Sequence, residues 1–361
     1  MRHSSGFHNV HRQAEFNPKI NCIEGTKTMS KNARILVTGA GGFIGHHLVK
    51  RLRGEGNWVR GVDIKAAEYE ATEANEFEIL DLRHFDDALL AARGGIEQVY
   101  NLAADMGGIG FITAKHAEIA RNNILINAHM LEASRLQDVK RFLFSSSACV
   151  YAQSKQKDAD VTPLREEDAY PADPEPGYGW EKLYTEQLCS YYRQDYRFET
   201  RVVRFHNVYG PLGTYEGGRE KAPAAISRKV ALARNYGAIE IWGDGEQTRS
   251  FMYVDDCLEG LIRLMASEYF QPLNLGTDRL ISINGLVDLV CGVAGKELGR
   301  NHDLSKPQGV RGRNSDNRLL REVLAWEPSI SLEKGLSLTY AWIENELAKA
   351  GRLEKRKAAL V

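Results

Sequence analysis

RILVTGAGGFIG, residues 34–45, decides the fold. Ile35, Leu36 and Val37 form the short apolar run of a buried parallel strand. Thr38 and the glycines follow, and then an amphipathic stretch through Leu52, so the order is strand, tight turn, helix. Gly39 can take a positive φ, Gly42 lets a ligand approach the main chain, and Gly45 lets helix and strand pack closely. The free N–H groups at Phe43, Ile44 and Gly45 would then face a pyrophosphate. The spacing is G-x-x-G-x-x-G with an extra Gly41, a variant of the commoner G-x-G-x-x-G. A second apolar strand, 58–62, ends in Asp63. An acid about 20 positions past the motif is placed to hold the adenosine ribose hydroxyls of NAD.

Working outward, strands are expected at 77–80, 98–102 and 141–145, with helices at 84–92 and 114–136 between them. Asp81 and Leu82, and Leu102 and Ala103, end two of these strands and belong to the expected cofactor edge. This alternation specifies an α/β Rossmann-type, doubly wound parallel sheet, covered on both faces. A proline-rich acidic loop, 163–176, leads to a helix over 178–196 and a strand at 201–205. From His206 the character changes: Gly and Pro punctuate the sequence, and helices near 222–235, 255–266, 283–296 and 333–348 alternate with short strands such as 239–242. The expected organisation is a polar extension at 1–32, a dinucleotide-binding domain at 33–205, and a smaller substrate-binding lobe at 206–349. Some elements of that lobe return to the first domain, and 350–361 form a basic tail.

The 361 residues carry a net charge of −1, which gives no reason to expect nucleic acid or an acidic membrane surface. No apolar run reaches the ~20 residues of a membrane span, and the N-terminus has no signal-peptide pattern. The five cysteines are scattered and lack C-x-x-C spacing, so they read as reduced thiols of a cytoplasmic protein. His3, His8 and His11 sit in the polar extension, and no metal site is expected.

The chemistry-bearing pattern is SSSACVY at 145–151 followed by YGWEK at 178–182. On a helix Tyr178 and Lys182 share a face, so the ammonium can lower the phenol pKa and hydrogen-bond a nicotinamide ribose. Ser147 can hydrogen-bond a reacting hydroxyl. A tyrosinate so placed removes a hydroxyl proton while the nicotinamide takes hydride from the same carbon. Cys149 lies two positions past Ser147 and, on an extended segment, would share its face.

The set TGAGGFIG, SSSACVY, YGWEK and FHNVYGP resembles the extended short-chain dehydrogenase/reductase family, the nucleotide-sugar epimerases and dehydratases, over about residues 33–345. MGGIGFI, GGREKAPAA, WGDGEQTRSF and GVRGRNSDN narrow the resemblance to members acting on a GDP-sugar at two ring carbons. It implies bound NAD, a homodimer built from the helices near 114–136 and 178–196, and Cys149 and Lys221 as a base–acid pair across the sugar ring. It also implies substrate contacts at Gly107, Ser147, Ala148, Asn207, Glu220, Ala222, Lys229, Gln247, Arg249 and Arg313, the last suited to a diphosphate. Taken singly, Cys149 could be a small buried hydrophobe, and Lys221, Arg249 and Arg313 ordinary surface cations. A simple 4-epimerase, a 4,6-dehydratase or a silent NAD-binding sensor are the alternatives on the same fold. Ala148 stands where dehydratases of the family carry acidic chemistry.

Overall fold

A computed structural model of the chain describes residues 32–353. The expected extension, with His3, His8 and His11, and the last residues of the tail lie outside that range. The first elements are β1 (Arg34–Thr38), α1 (Phe43–Gly54), β2 (Trp58–Asp63), β3 (Glu76–Ile79), α2 (Phe85–Ala92), β4 (Gln98–Asn101) and α3 (Ile109–Ile112). They continue as α4 (His116–Leu136), β5 (Arg141–Ser147), α5 (Tyr178–Tyr196), β6 (Glu199–Phe205), β7 (Val208–Tyr209) and α6 (Ala222–Leu232). Next come β8 (Ala238–Trp242), β9 (Thr248–Arg249), β10 (Met252–Tyr253), α7 (Val254–Ala266), β11 (Pro272–Leu275), β12 (Ile281–Ser282) and α8 (Ile283–Ala294). The last are β13 (Gly299–Asp303), β14 (Gly312–Arg313), α9 (Arg318–Leu324) and α10 (Leu332–Lys349).

Seven strands form the main sheet in the order β11-β6-β5-β4-β1-β2-β3, every pairing parallel. The order reverses between β1 and β4, and a ligand crevice opens beyond the carboxyl ends at such a point. Side-chain alternation explains why β1 is apolar throughout. Ile35 and Val37 join one core with Leu48 and Leu52 of α1, while Leu36 joins the opposite core with Ala88 and Ala91 of α2 and Met130 of α4.

Past residue 206, one strand joins the main sheet and one helix packs on it. β11 is its edge strand, paired with β6, and α7 lies against α1. β11 reads only PLNL, too short and too interrupted by Pro272 and Asn274 to stand out as a strand. The remaining later elements pack together: α6, α8 and α10 contact one another, β8 pairs with β13, and β9 pairs with both β12 and β14.

Candidate active site

At the switch point, Thr38 ties the two strand ends together. Its hydroxyl donates to Asn101 Oδ1 at 2.8 Å and accepts from the N–H groups of Leu102 and Ala103, each at 3.1 Å. Gly39 follows with φ +69°, and a Cβ there would lie 2.9 Å from Ala103 N. A Cβ on Gly45 would lie 2.1 Å from Gly39 O, so α1 can approach the turn only as glycine. Gly42 is the extended residue before α1, and the N–H groups of Phe43, Ile44 and Gly45 find no acceptor among the described residues. Asp63 accepts from Gly41 N at 3.0 Å and Lys65 N at 3.2 Å, and burial lifts its carboxyl above the usual range. A glycine cradle, three free N–H donors and an acid at the end of β2 fit a dinucleotide. Asp81 lies at the next strand end of the same edge. Arg83 clamps its carboxylate at 2.6 Å, which holds its pKa down, while Leu82 beside it is buried.

Tyr178 is the first residue of α5, and Lys182 follows one turn on, as the spacing requires. Lys182 Nζ lies 5.4 Å from the centre of the Tyr178 ring and 4.9 Å from that of Phe144. Ser147 favours the ionised form of the phenol. Its pKa is nevertheless raised well above the usual phenol value: burial dominates, with Cys149 and Glu181 adding to it and Ser147 opposing. The expected lowering by Lys182 is therefore absent from the protein taken alone. The ammonium stands instead 3.6 Å from Glu181 Oε1. Glu181 accepts from Asn123 and Asn127, Asn127 accepts from Asn101, and Asn101 accepts from Thr38. A buried polar chain thus runs from the glycine turn to the lysine. Sequence reasoning missed Asn101, Asn123, Asn127 and Glu181, because nothing in α4's periodicity marks asparagines as partners of an acid on α5.

Cys149 is not on an extended segment. Residues Ala148–Val150 form a single 3-10 turn, capped by the Ser147 side chain, which accepts from Cys149 N at 3.2 Å. The turn, rather than strand alternation, brings the thiol beside Ser147. Arg313 Nη1 donates to Cys149 Sγ at 3.4 Å, and Gln156 Oε1 holds Arg313 Nε at 2.6 Å. Burial, followed by the Glu175 carboxylate, pushes the thiol up to about 11, against the pull of Arg313. Lys221, immediately before α6, lies within electrostatic reach of Cys149, and burial draws its ammonium below the usual lysine range. It makes no ion pair among the described residues.

The two glycine-rich segments meet. Gly108 N donates to Arg219 O at 3.0 Å, and a Cβ on Gly108 would lie 2.5 Å from Glu220 O. Gly107 is buried against Phe111. The Glu220 carboxylate turns back to Gly218 N and Arg228. Arg249 and Arg313 are register partners on β9 and β14. Arg249 spends its donors on the carbonyls of Thr248 and Gln308, and burial with the like charge of Arg313 brings it down to about 9. A buried guanidinium and a half-buried one on paired strands favour an anion. Lys229 and Gln247 gather elsewhere, around the end of β8: Lys229 Nζ donates to Glu240 O at 2.7 Å and Gln247 Nε2 to Trp242 O at 3.1 Å. Asn207 bridges β7 to Ser250 O at 3.0 Å, and Ala222 opens α6.

The profile of the NAD dependent epimerase/dehydratase family matches residues 35–276. The chain belongs to that family. It is accordingly an NAD-dependent enzyme on the family's Rossmann-type fold. GDP-mannose 3,5-epimerase 1 of Oryza sativa subsp. japonica is 47% identical over 322 residues, 89% of this chain and 84% of that protein. GDP-mannose 3,5-epimerase of Arabidopsis thaliana is 46% identical over the same length. The GDP-L-fucose synthase of Escherichia coli is more distant, at 29% over 88% of this chain and 98% of its own. Among solved structures, UDP-glucose 4-epimerase of Thermotoga maritima superposes with a TM-score of 0.77 at 29% identity, covering 87% of this chain and 99% of that one.

Proposed function

We propose that the enzyme is a GDP-mannose 3,5-epimerase, converting GDP-D-mannose to GDP-L-galactose, and to GDP-L-gulose when only C5 inverts. The observation that carries this is a set of further titratable groups at the site: the Cys149 thiol packs in one cluster with Tyr178, and the Lys221 amine lies within electrostatic reach of the thiol. A simple 4-epimerase needs only the tyrosine and serine. Relatives of that specificity share nearly half of the sequence, whereas the GDP-L-fucose synthase shares 29%.

Tyr178 takes the proton of the C4 hydroxyl, with Ser147 orienting that hydroxyl and Lys182 binding the nicotinamide ribose. Bound NAD supplies the hydride acceptor at C4, later the hydride donor, and the positive ring charge that favours an ionised phenol. The C4 ketone acidifies the protons on C3 and C5. Cys149 removes such a proton from one face of the ring and Lys221 delivers one to the other, so each centre inverts. Gly39, Gly42, Phe43, Ile44, Gly45, Asp63, Leu82, Leu102 and Ala103 hold the cofactor. Arg249 and Arg313 offer their guanidiniums to the anionic part of the substrate, and Gly107 lets the sugar approach the backbone.

We also infer a homodimer. Trp180, Tyr184 and Tyr191 on α5 are all about half exposed and fall on one stripe, with Ile124 exposed on the neighbouring α4; this face supports a helical interface. A cytoplasmic setting is supported by the four free cysteines among the described residues. No helix of the described residues is long and apolar enough to cross a membrane.

Incubating the purified protein with GDP-mannose and separating the sugars tests the assignment. GDP-L-galactose is the expected product, and recovery of a C4 epimer alone overturns it.

A further inference from the structure

Two segments outside the cofactor-binding set lie over the glycine turn. The first is Gly210–Gly213, leaving β7. His47 on α1 tethers it: Nε2 lies 2.9 Å from Pro211 O, and a carbonyl only accepts, so the ring N–H donates. Phe43, the first residue of α1, packs against both glycines. A Cβ on Gly210 would lie 3.3 Å from Phe43 Cζ, and one on Gly213 would lie 3.6 Å from Phe43 Cδ2. Between them Leu212 has φ +62°, a left-handed conformation that a leucine keeps only where its surroundings hold it there. The second segment, residues 64–70, leaves β2. A Cβ on Gly41 would lie 2.6 Å from Lys65 O, so this backbone rests directly on the turn. Its Tyr69 ring stands edge-on to Trp342 of α10, centres 5.0 Å apart, and 5.9 Å from Tyr215. Tyr215 continues the first segment and meets Trp342 at 5.6 Å, so the three rings tie both segments to α10. Leu212, Tyr69, Glu70 and His46 line one narrow crevice with Gly41 and Gly42.

We propose that Leu212 and Tyr69 are cofactor-retaining residues that close the outer side of the glycine turn over the dinucleotide, with His47 and Trp342 as the positioning residues that hold them in place. The free N–H groups of α1 and the Asp63 carboxylate bind the dinucleotide from the sheet side. Leu212 and Tyr69 cover the other side, so NAD leaves only when the two segments part. The strained Leu212 backbone fits this role: the His47 bond and the Phe43 packing hold the side chain over the crevice instead of letting the loop relax away from it.

The test is the rate at which the purified holoenzyme exchanges its NAD for radiolabelled NAD, read as label retained by the protein after rapid gel filtration. Leu212→Gly suits the positive φ, so it relieves the backbone while removing the covering side chain. Release should be faster by about tenfold or more, the worth of one buried leucine side chain. His47→Leu frees Pro211 and should also speed release, whereas His47→Gln keeps a donor and should return the rate toward wild type. An unchanged release rate in Leu212→Gly overturns the proposal, and so does a His47→Gln protein that releases NAD as fast as His47→Leu. Amide hydrogen exchange on the wild-type chain needs no variant. Peptides over residues 64–72 and 208–216 should both exchange more slowly with NAD bound than after its removal on charcoal, and protection confined to the glycine turn overturns the proposal. Neither measurement involves a sugar, so each result stands whichever nucleotide sugar the enzyme turns over.

Discussion

Lys182 Nζ stands 3.6 Å from Glu181 Oε1, with both side chains shut off from water. Consecutive residues on a helix point about 100° apart, so this pair is made by the lysine folding back toward its neighbour. Burial raises the Glu181 carboxyl, and the Lys182 charge and the amides of Asn123 and Asn127 oppose that rise. The Lys182 ammonium therefore has a carboxylate counter-ion fixed by α4.

Replacing Glu181 by Gln keeps the shape and removes the counter-ion. An uncompensated buried charge costs about 3–5 kcal/mol. Urea unfolding of Glu181→Gln should show a loss of that order, with a lower midpoint and an unchanged slope. A loss within a few tenths of a kcal/mol, about the scatter of a surface substitution, would mean that Lys182 is not charged in the folded protein.

Stability should also fall in mild acid because of His206. It is buried on the FHNVYGP segment, with Nε2 3.1 Å from Asn274 Oδ1, and burial lowers its pKa to about 3. The folded imidazole stays neutral while the unfolded one takes a proton near pH 6.5. The unfolded state then binds more protons, so stability is full above pH 6.5 and is lost as pH falls from there toward about 3. The slope from this one group approaches about 1.4 kcal/mol per pH unit. Thermal melts between pH 5 and 7 should be less steep in pH for His206→Gln than for wild type. Identical slopes would show that the imidazole is protonated in place.

Arg249 carries the next expectation. It has no carboxylate partner among the described residues, only the carbonyls of Thr248 and Gln308, and it lies beside Arg313. An anion between the two guanidiniums would relieve their repulsion. A charge-assisted hydrogen bond contributes about 1.5–3 kcal/mol, so Arg249→Gln should weaken GDP binding roughly 10- to 100-fold. Titration calorimetry at two salt concentrations measures this, and the variant should also lose part of the salt dependence. Undiminished affinity would place the diphosphate elsewhere.

The glycine turn, the parallel order and the Tyr178–Lys182 pairing were legible because each is local: strand, turn and helix periods fix them within a few residues. Cys149 lies beside Ser147 through a local structure other than the extended one the sequence suggests. Alternation along an extended segment gives the same neighbour as the 3-10 turn that actually forms. Contacts that depend on distant chain segments left no such trace. Arg313 and Cys149 are 164 residues apart, and Glu175 is hidden in a proline-rich loop with no period to read. The phenol pKa failed for a related reason. Helical spacing reports that Lys182 is near Tyr178, but burial of the phenol outweighs a neighbouring charge that is already paired with Glu181.

The most discriminating outcome separates oxidation from epimerisation. In the proposed mechanism Tyr178 acts only at C4, so Tyr178→Phe should abolish every reaction, including reduction of the bound cofactor. In the same mechanism Cys149 and Lys221 act only at C3 and C5. Cys149→Ser keeps the size of the side chain but replaces a thiol with a hydroxyl that is far too weak an acid to serve as a base near neutral pH. Lys221→Ala removes the amine whose ammonium burial has already weakened. Each variant should still oxidise C4 and accumulate reduced cofactor, seen by its absorbance, and neither should release an L-sugar at an appreciable rate. In heavy water the wild type should place deuterium at C3 and C5 but not at C4, because the hydride at C4 passes to the cofactor and back without meeting solvent. Absence of deuterium from C3 and C5, or a fully active Cys149→Ser enzyme, would leave the thiol without a role and return the chain to the simple 4-epimerases.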